Sequence, residues 1–117
     1  MDFDLQLQTS GGRTVIAVSG ELDVLTAPRL QERLAEVIDG GERDLWVDLR
    51  PTEFIDSSGL STLVAAQKRL RSLEGDLGLV CPKGNIRRLL EIVSLDQAFT
   101  IVDGLDGHDG ASSSTTR

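Results

Sequence analysis

The sequence predicts an α/β domain with α+β character: a mixed sheet of about five strands whose helices pack mainly on one face. Strand-like and helix-like segments alternate in the order β-β-α-β-α-β-α-β. Short connections between such segments imply right-handed crossovers between parallel strands. The opening pair of strands adds an antiparallel hairpin, which makes the sheet mixed. Several strand segments alternate polar and apolar residues, as expected where helices cover only one face of a sheet.

The hairpin is predicted from the first two strand-like segments. Residues 3–8 alternate apolar side chains with acidic or amide side chains, a period of two that is typical of a half-buried strand. Ser10-Gly11-Gly12 has the composition of a turn, and residues 14–19 are mostly β-branched or apolar. These features together predict a two-stranded antiparallel hairpin.

The first helix follows a break in the second strand at Gly20-Glu21-Leu22-Asp23. Thr26 can cap this helix, and Pro28 then falls in the first turn, where a missing N–H costs nothing. Gly40-Gly41 ends the helix. Its apolar stripe consists of Leu30, Leu34, Val37 and Ile38.

The rest of the chain repeats the strand and helix pattern. The predicted elements are a strand over 44–49, a helix from the corner near residue 57 to about 73, a strand over 77–81, a helix opened by Gly84-Asn85, and a strand over 99–102. Gly75 ends the second helix, and Lys68, Arg69 and Arg71 suit its carboxyl end. Residues 1–103 form the predicted domain. Residues 104–117 are rich in Gly, Asp, Ser and Thr and form a predicted disordered tail.

Composition restricts the class of protein. The 117 residues carry a net charge of −7, which argues against direct binding to nucleic acid or to an anionic membrane surface. No apolar run approaches the roughly 18 residues of a membrane helix, and the first residues lack the features of a signal peptide. The single Cys81 fits a reducing compartment. We therefore expect a cytoplasmic protein.

The segment Phe54-Ile55-Asp56-Ser57-Ser58-Gly59-Leu60 connects a strand to a helix and concentrates polar side chains at the corner. Asp and Ser are strong N-cap residues, because their oxygens accept from the unpaired N–H groups of the first turn. If Asp56 is the N-cap, Ser57 lies in the first turn and points outward. If Ser57 or Ser58 is the cap, its hydroxyl is occupied. A cap alone would explain these residues.

The sequence contains few of the residues that an enzyme active site or a metal site would need. A serine hydrolase needs a Gly-x-Ser-x-Gly elbow and a base, but the corner has only the second glycine, and His108 lies in the predicted tail. One Cys and one His cannot form a zinc site. Aspartates that recur in the tail could bind calcium weakly, but a solvated linker explains them better. We predict no catalytic residue, no metal site and no cofactor.

A phosphorylation switch needs less, namely an exposed hydroxyl on a surface that a partner covers. Phosphate adds about −1.5 to −2 charges at neutral pH. In a packed interface this charge must be desolvated, and it repels neighbouring carboxylates. Asp56 and Asp23 are the expected neighbours.

Three motifs resemble the bacterial anti-sigma-factor antagonists, which are small STAS-domain proteins. They are Gly20-Glu21-Leu22-Asp23, Thr26-Ala27-Pro28 and residues 54–60, and the similarity in their order and spacing extends over roughly residues 3–102. Two features depart from the family. The glycine-rich end of the chain replaces a final helix, and Ser61 stands where many relatives have glycine.

The resemblance implies a STAS-type sheet and a partner-switching cycle rather than an enzyme. The unphosphorylated antagonist binds an anti-sigma factor that is also an ATP-using serine kinase, and so frees a sigma factor. Phosphorylation ends the interaction, and a metal-dependent serine phosphatase reverses it. The alternative is a STAS scaffold or ligand-sensing module that is never phosphorylated.

The resemblance also implies which residues carry the switch. The phosphorylated residue maps onto Ser57. From its missing Cβ rather than from the resemblance, Gly59 is expected to let the partner approach closely; the alternative is that glycine only eases the backbone of the corner. The predicted partner-binding residues are Gly20, Glu21, Leu22, Asp23, Thr26, Asp56, Ser57, Ser58 and Gly59.

Overall fold

The computed structural model of the chain describes residues 2–105. Its elements are β1 (Asp4–Ser10), β2 (Arg13–Leu22), α1 (Ala27–Asp39), β3 (Asp44–Asp48), β4 (Thr52–Ile55), α2 (Ser57–Ser72), β5 (Asp76–Val80), α3 (Asn85–Ile92) and β6 (Thr100–Val102). The sheet has six strands. Five of them are neighbours in the order β1-β2-β3-β5-β6, and the sixth, β4, pairs with β2. Apart from the short strand β4, these elements follow the predicted order.

The sheet is mixed, as predicted. β1 and β2 form the antiparallel hairpin, with Leu5 opposite Val18 and Leu7 opposite Ile16. The pairs β2–β3, β3–β5, β5–β6 and β2–β4 are all parallel. The carboxyl ends of the parallel strands therefore lie at one edge of the sheet, where the strand-to-helix loops are found.

Strand β4 was not predicted. It has only 4 residues, and its two outer residues are buried while its middle pair, Glu53 and Phe54, is exposed, so it lacks the period of two that reveals a longer strand. It pairs with the last residues of β2, and the register of this pair shifts between Gly20 and Glu21. Gly20 has a φ of +92°, a conformation that favours glycine, and its N–H donates to the Pro51 carbonyl oxygen at 3.3 Å.

The helices cover one face of the sheet, as expected. Alternate residues of the central strands point toward them, so Ile16 and Val18 of β2 join the same buried cluster as Leu30 and Leu34 of α1. The cluster is completed by side chains of the other strands and helices: Leu45, Val47, Leu77, Leu79, Leu63, Leu70 and Leu90. This face contains most of the buried apolar area, which supplies the main driving force for folding.

The opposite face of the sheet has a smaller buried cluster. Val15 and Val80 pack there with Leu105, and Trp46 packs against them. The Trp46 ring lies over Gly78, since a Cβ at Gly78 would come within 2.5 Å of the ring. Leu105 is 3% exposed, so packing extends past the predicted domain end at residue 103. The rest of the predicted tail, residues 106–117, lies outside the described residues.

Two helices end with a residue in the left-handed conformation that is not glycine. Glu74, after α2, has a φ of +66°, and Ser94, after α3, has a φ of +64°. At the end of α2 the Gly75 N–H donates to the Leu70 carbonyl at 2.7 Å, and the Glu74 N–H donates to the Arg71 carbonyl at 3.1 Å. This is a Schellman motif, in which the left-handed position is taken by Glu74 and Gly75 comes directly after it.

Across residues 2–105, every helix falls short of the length and apolar character that crossing a bilayer demands.

Candidate functional site

Two loops meet at the carboxyl ends of β2 and β4. These strands are parallel neighbours with Leu22 opposite Ile55, and the Asp56 N–H donates to the Leu22 carbonyl oxygen at 3.1 Å. The segments that follow, one leading into α1 and the other into α2, therefore lie side by side. We call residues 20–26 and 54–59 together the serine edge. It contains all the residues predicted to bind a partner.

Asp56 is the N-cap of α2. Its Oδ1 accepts from the N–H groups of Ser58 at 2.8 Å and Gly59 at 3.2 Å. The alternative in which Ser57 or Ser58 is the cap is wrong, because Asp56 already satisfies these donors. Ser57 is exposed, and its hydroxyl takes part in no hydrogen bond among the described residues. Of the two sequence interpretations, the one that turns Ser57 outward is confirmed.

Asp23 organises the other loop. Its Oδ1 accepts from the N–H groups of Leu25 at 3.0 Å and Thr26 at 3.1 Å, which is an Asx turn. The Thr26 hydroxyl accepts from the Asp23 N–H at 2.9 Å and donates to the Glu21 carbonyl at 2.7 Å. Thr26 occupies the N-cap position of α1 as predicted, but its side chain makes no capping bond, because the hydroxyl is engaged by the loop.

Several predicted site residues are buried and support the edge from beneath. Leu22 is fully buried. A Cβ on Gly20 would lie 2.9 Å from the Asp2 carbonyl oxygen, and a Cβ on Gly59 would lie 2.7 Å from Leu22 Cγ and 2.8 Å from Ile55 Cγ1. The expectation that Gly59 lets a partner approach is therefore wrong: glycine is needed because helix α2 packs directly on the ends of β2 and β4.

The structure adds three exposed apolar residues that were not predicted for the site. Val24 is 66% exposed, Leu25 is 82% exposed and Phe54 is 49% exposed. Exposed carboxylates accompany them, since Glu21 lies opposite Phe54 in the strand register and Glu53 precedes it. The only indication in the sequence was a pair of large apolar residues, Val24-Leu25, in a segment that should be a polar loop.

Other reactive groups among the described residues are far less available. Burial raises the pKa of the Cys81 thiol, so little nucleophilic thiolate forms near neutral pH. A hydrogen bond from the Thr14 hydroxyl lowers the pKa of Glu42, but this pair lies at the start of β2 and not at the serine edge. No group of metal-binding side chains occurs among residues 2–105. What the edge offers chemically is a free hydroxyl at a helix N-terminus.

Comparison with known proteins yields one family and a consistent set of relatives. The family model of the STAS domain matches residues 4–107. An anti-sigma-B factor antagonist of Staphylococcus aureus is 31% identical over 106 residues, which span 91% of this chain and 98% of that protein. The anti-sigma-F factor antagonist RsfB of Mycobacterium tuberculosis is 33% identical over 104 residues, which span 85% of this chain and 84% of RsfB.

Solved structures agree with these sequence relatives. An anti-sigma factor antagonist from Mycobacterium paratuberculosis superposes with a TM-score of 0.81 at 31% identity, covering 90% of this chain and 89% of that one. Unphosphorylated SpoIIAA superposes with a TM-score of 0.68 at 19% identity, covering 88% of this chain and 89% of that one; at this identity the likeness concerns the fold alone. SpoIIAA has also been solved in a phosphorylated form.

Proposed function

The chain belongs to the STAS-domain family and to its anti-sigma-factor antagonists, and from this premise we propose that its unphosphorylated form binds an anti-sigma factor that is also a serine kinase. Binding frees a sigma factor, and ATP-dependent phosphorylation of Ser57 ends the interaction. A metal-dependent serine phosphatase restores the unphosphorylated form. The cycle takes place in the cytoplasm. The chain acts as a regulatory binding protein and not as an enzyme.

The observation that carries this proposal is the position of Ser57. A kinase needs a hydroxyl that it can reach, and Ser57 is exposed, whereas the cap is provided by Asp56. Ser58 is only half-exposed. Of the two serines, Ser57 is therefore the better phosphate acceptor.

Electrostatics explain how one phosphate could end the interaction while the fold survives. At the first turn of α2 the helix dipole offsets part of the charge in the free protein, although Asp56 already accepts from the Ser58 and Gly59 N–H groups. In a complex the same group would be buried close to the Asp56 carboxylate and would lose its hydration. An uncompensated buried charge costs several kcal/mol, so the cost falls on the complex.

The test is phosphorylation of serine variants by the kinase. Purified chain is incubated with the candidate anti-sigma factor and ATP, and the intact mass is measured. We expect a gain of one phosphate for the wild type and for Ser58→Ala, and no gain for Ser57→Ala, which should still bind. Modification of Ser57→Ala but not of Ser58→Ala would move the phosphorylated residue to Ser58.

A second candidate function, a ligand-sensing STAS module, is favoured by one feature. A groove of about 370 Å³ lies between α1 and α2, and its lining is largely apolar. It is bordered by Leu34, Ala35, Ile38, Ala65 and Ala66 with Gln31, Ser61, Thr62 and Arg69. A chain that the kinase never modifies, but whose melting temperature rises with a small apolar ligand, would support this function instead.

A further inference from the structure

Large apolar side chains are exposed at the serine edge on both of its segments. Val24 and Leu25 belong to the loop after β2, and Phe54 belongs to β4. The side chain of Phe54 lies opposite that of Glu21 on the neighbouring strand, while the adjacent pair, Leu22 and Ile55, is buried in the core. Exposed apolar groups that cluster on a surface mark interaction sites more often than single scattered ones do.

The loop that carries two of these side chains is held in place by its own hydrogen bonds. Both ends of the Val24-Leu25 segment are fixed, because Asp23 Oδ1 accepts from the N–H groups of Leu25 and Thr26 and the Thr26 hydroxyl bridges Asp23 and Glu21. A loop that is already ordered loses less conformational entropy when it binds. An ordered loop that points apolar side chains into water needs another reason to exist, since nothing in the described fold covers them.

We propose that the exposed side chains of Val24, Leu25 and Phe54 anchor the anti-sigma factor at the serine edge, and that Asp23 positions the loop of Val24 and Leu25 rather than contributing its charge. This inference rests on the proposed function and names the contacts that give it affinity. Apolar anchors at the centre of an interface, ringed by polar groups, carry most of the binding energy in many complexes. Here the exposed carboxylates Glu21 and Glu53 form the rim, which matches a partner surface that is apolar at its centre and basic around it.

The first arm of the experiment measures the affinity of the unphosphorylated chain for the purified serine-kinase anti-sigma factors of the same organism, by titration calorimetry without ATP. We expect Leu25→Ala to weaken binding by about tenfold or more. The control is Ile92→Ala, since Ile92 is 72% exposed but ends α3, outside the serine edge. It should bind as the wild type does. Melting temperatures of both variants should remain unchanged, because neither side chain is buried.

The second arm separates the position of Asp23 from its charge. Asp23→Asn keeps an Oδ1 acceptor for the Leu25 and Thr26 N–H groups and should retain affinity within about threefold. Asp23→Ala removes the acceptor and should weaken binding about as much as Leu25→Ala does. Equal losses for Asn and Ala would show that the partner uses the charge, which contradicts the positioning role.

The outcomes distinguish the two proposals. If the wild type binds none of these anti-sigma factors, the proposed function fails and the anchor inference fails with it. If the wild type binds and Leu25→Ala binds with the same affinity, the anchor inference alone is overturned. Loss of affinity in Leu25→Ala together with an unchanged Ile92→Ala supports it.

Discussion

Gly59 lies where α2 meets the ends of β2 and β4, and at the residue scale it links fold to site. A Cβ there would come within 3 Å of both Leu22 and Ile55, closer than packed carbon atoms approach without displacement. We expect Gly59→Ala to lower the free energy of unfolding by about 1–3 kcal/mol. The measurement is urea denaturation.

The matched control for this variant is Gly104→Ala. A Cβ at Gly104 would lie 3.5 Å from Arg50 Nη1, an ordinary contact, so its stability should change little. If Gly59→Ala were as stable as the wild type, Leu22 and Ile55 would yield to the added Cβ at little cost, and crowding at the corner would not explain the glycine.

Roles that depend on residues nearby in the sequence were predicted well. Roles that depend on tertiary packing were not. Asp56 and the outward Ser57 follow from local rules of helix capping. The buried position of Gly59 depends on two strands that join the corner from elsewhere in the chain. The spacing of Asp23 and Thr26 is compatible with a side-chain turn, but the sequence analysis considered Asp23 only as a carboxylate near the phosphorylated serine.

At the scale of single elements, the end of α2 has a residue in an unfavourable backbone conformation. Glu74 takes a left-handed conformation, which costs a residue with a Cβ roughly 1–2 kcal/mol. We expect Glu74→Gly to raise the free energy of unfolding by about 0.5–1 kcal/mol, after subtraction of the greater entropy of glycine in the unfolded chain.

Glu74→Ala is the control, because it removes the same charge but keeps the Cβ. It should not be more stable than the wild type in the same denaturation experiment. If both variants gained the same free energy of unfolding, the effect would come from removing the negative charge of Glu74. The helix dipole disfavours a negative charge at the carboxyl end of α2.

The elements themselves could be predicted from periodicity where they are long. α1 and α2 have apolar stripes over several turns, and the observed helices agree with them. Strand β4 was missed because 4 residues cannot display a pattern. Without β4, the contact between the two loops of the site could not be predicted, since β4 brings Phe54 and Asp56 beside the end of β2.

At the scale of the whole molecule, Leu105 completes the face of the sheet that the helices leave open. It packs with Val15 and Val80. A chain truncated after Gly104 would expose these side chains, and we expect it to lose about 2–3 kcal/mol of stability, close to the value for a buried Leu. The same loss is expected for Leu105→Ala in the full-length chain.

Thermal denaturation with two truncations checks this expectation. Truncation after Leu105 retains the side chain and should melt well above truncation after Gly104. If both truncated chains melt together, Leu105 contributes little. This contact could not be predicted, because one leucine among glycines and aspartates shows no periodicity. The alternation of strands and helices was sufficient to predict the overall architecture.

The central claim is that the charge state of Ser57 controls binding to the anti-sigma factor. The most direct measurement compares the affinity of the unphosphorylated chain with that of the chain phosphorylated at Ser57, against the same kinase and nucleotide. We predict a loss of affinity of about 100-fold or more, equivalent to at least ~2.7 kcal/mol, with amide shifts of the free protein confined to the serine edge. Equal affinity of the two forms would contradict the account.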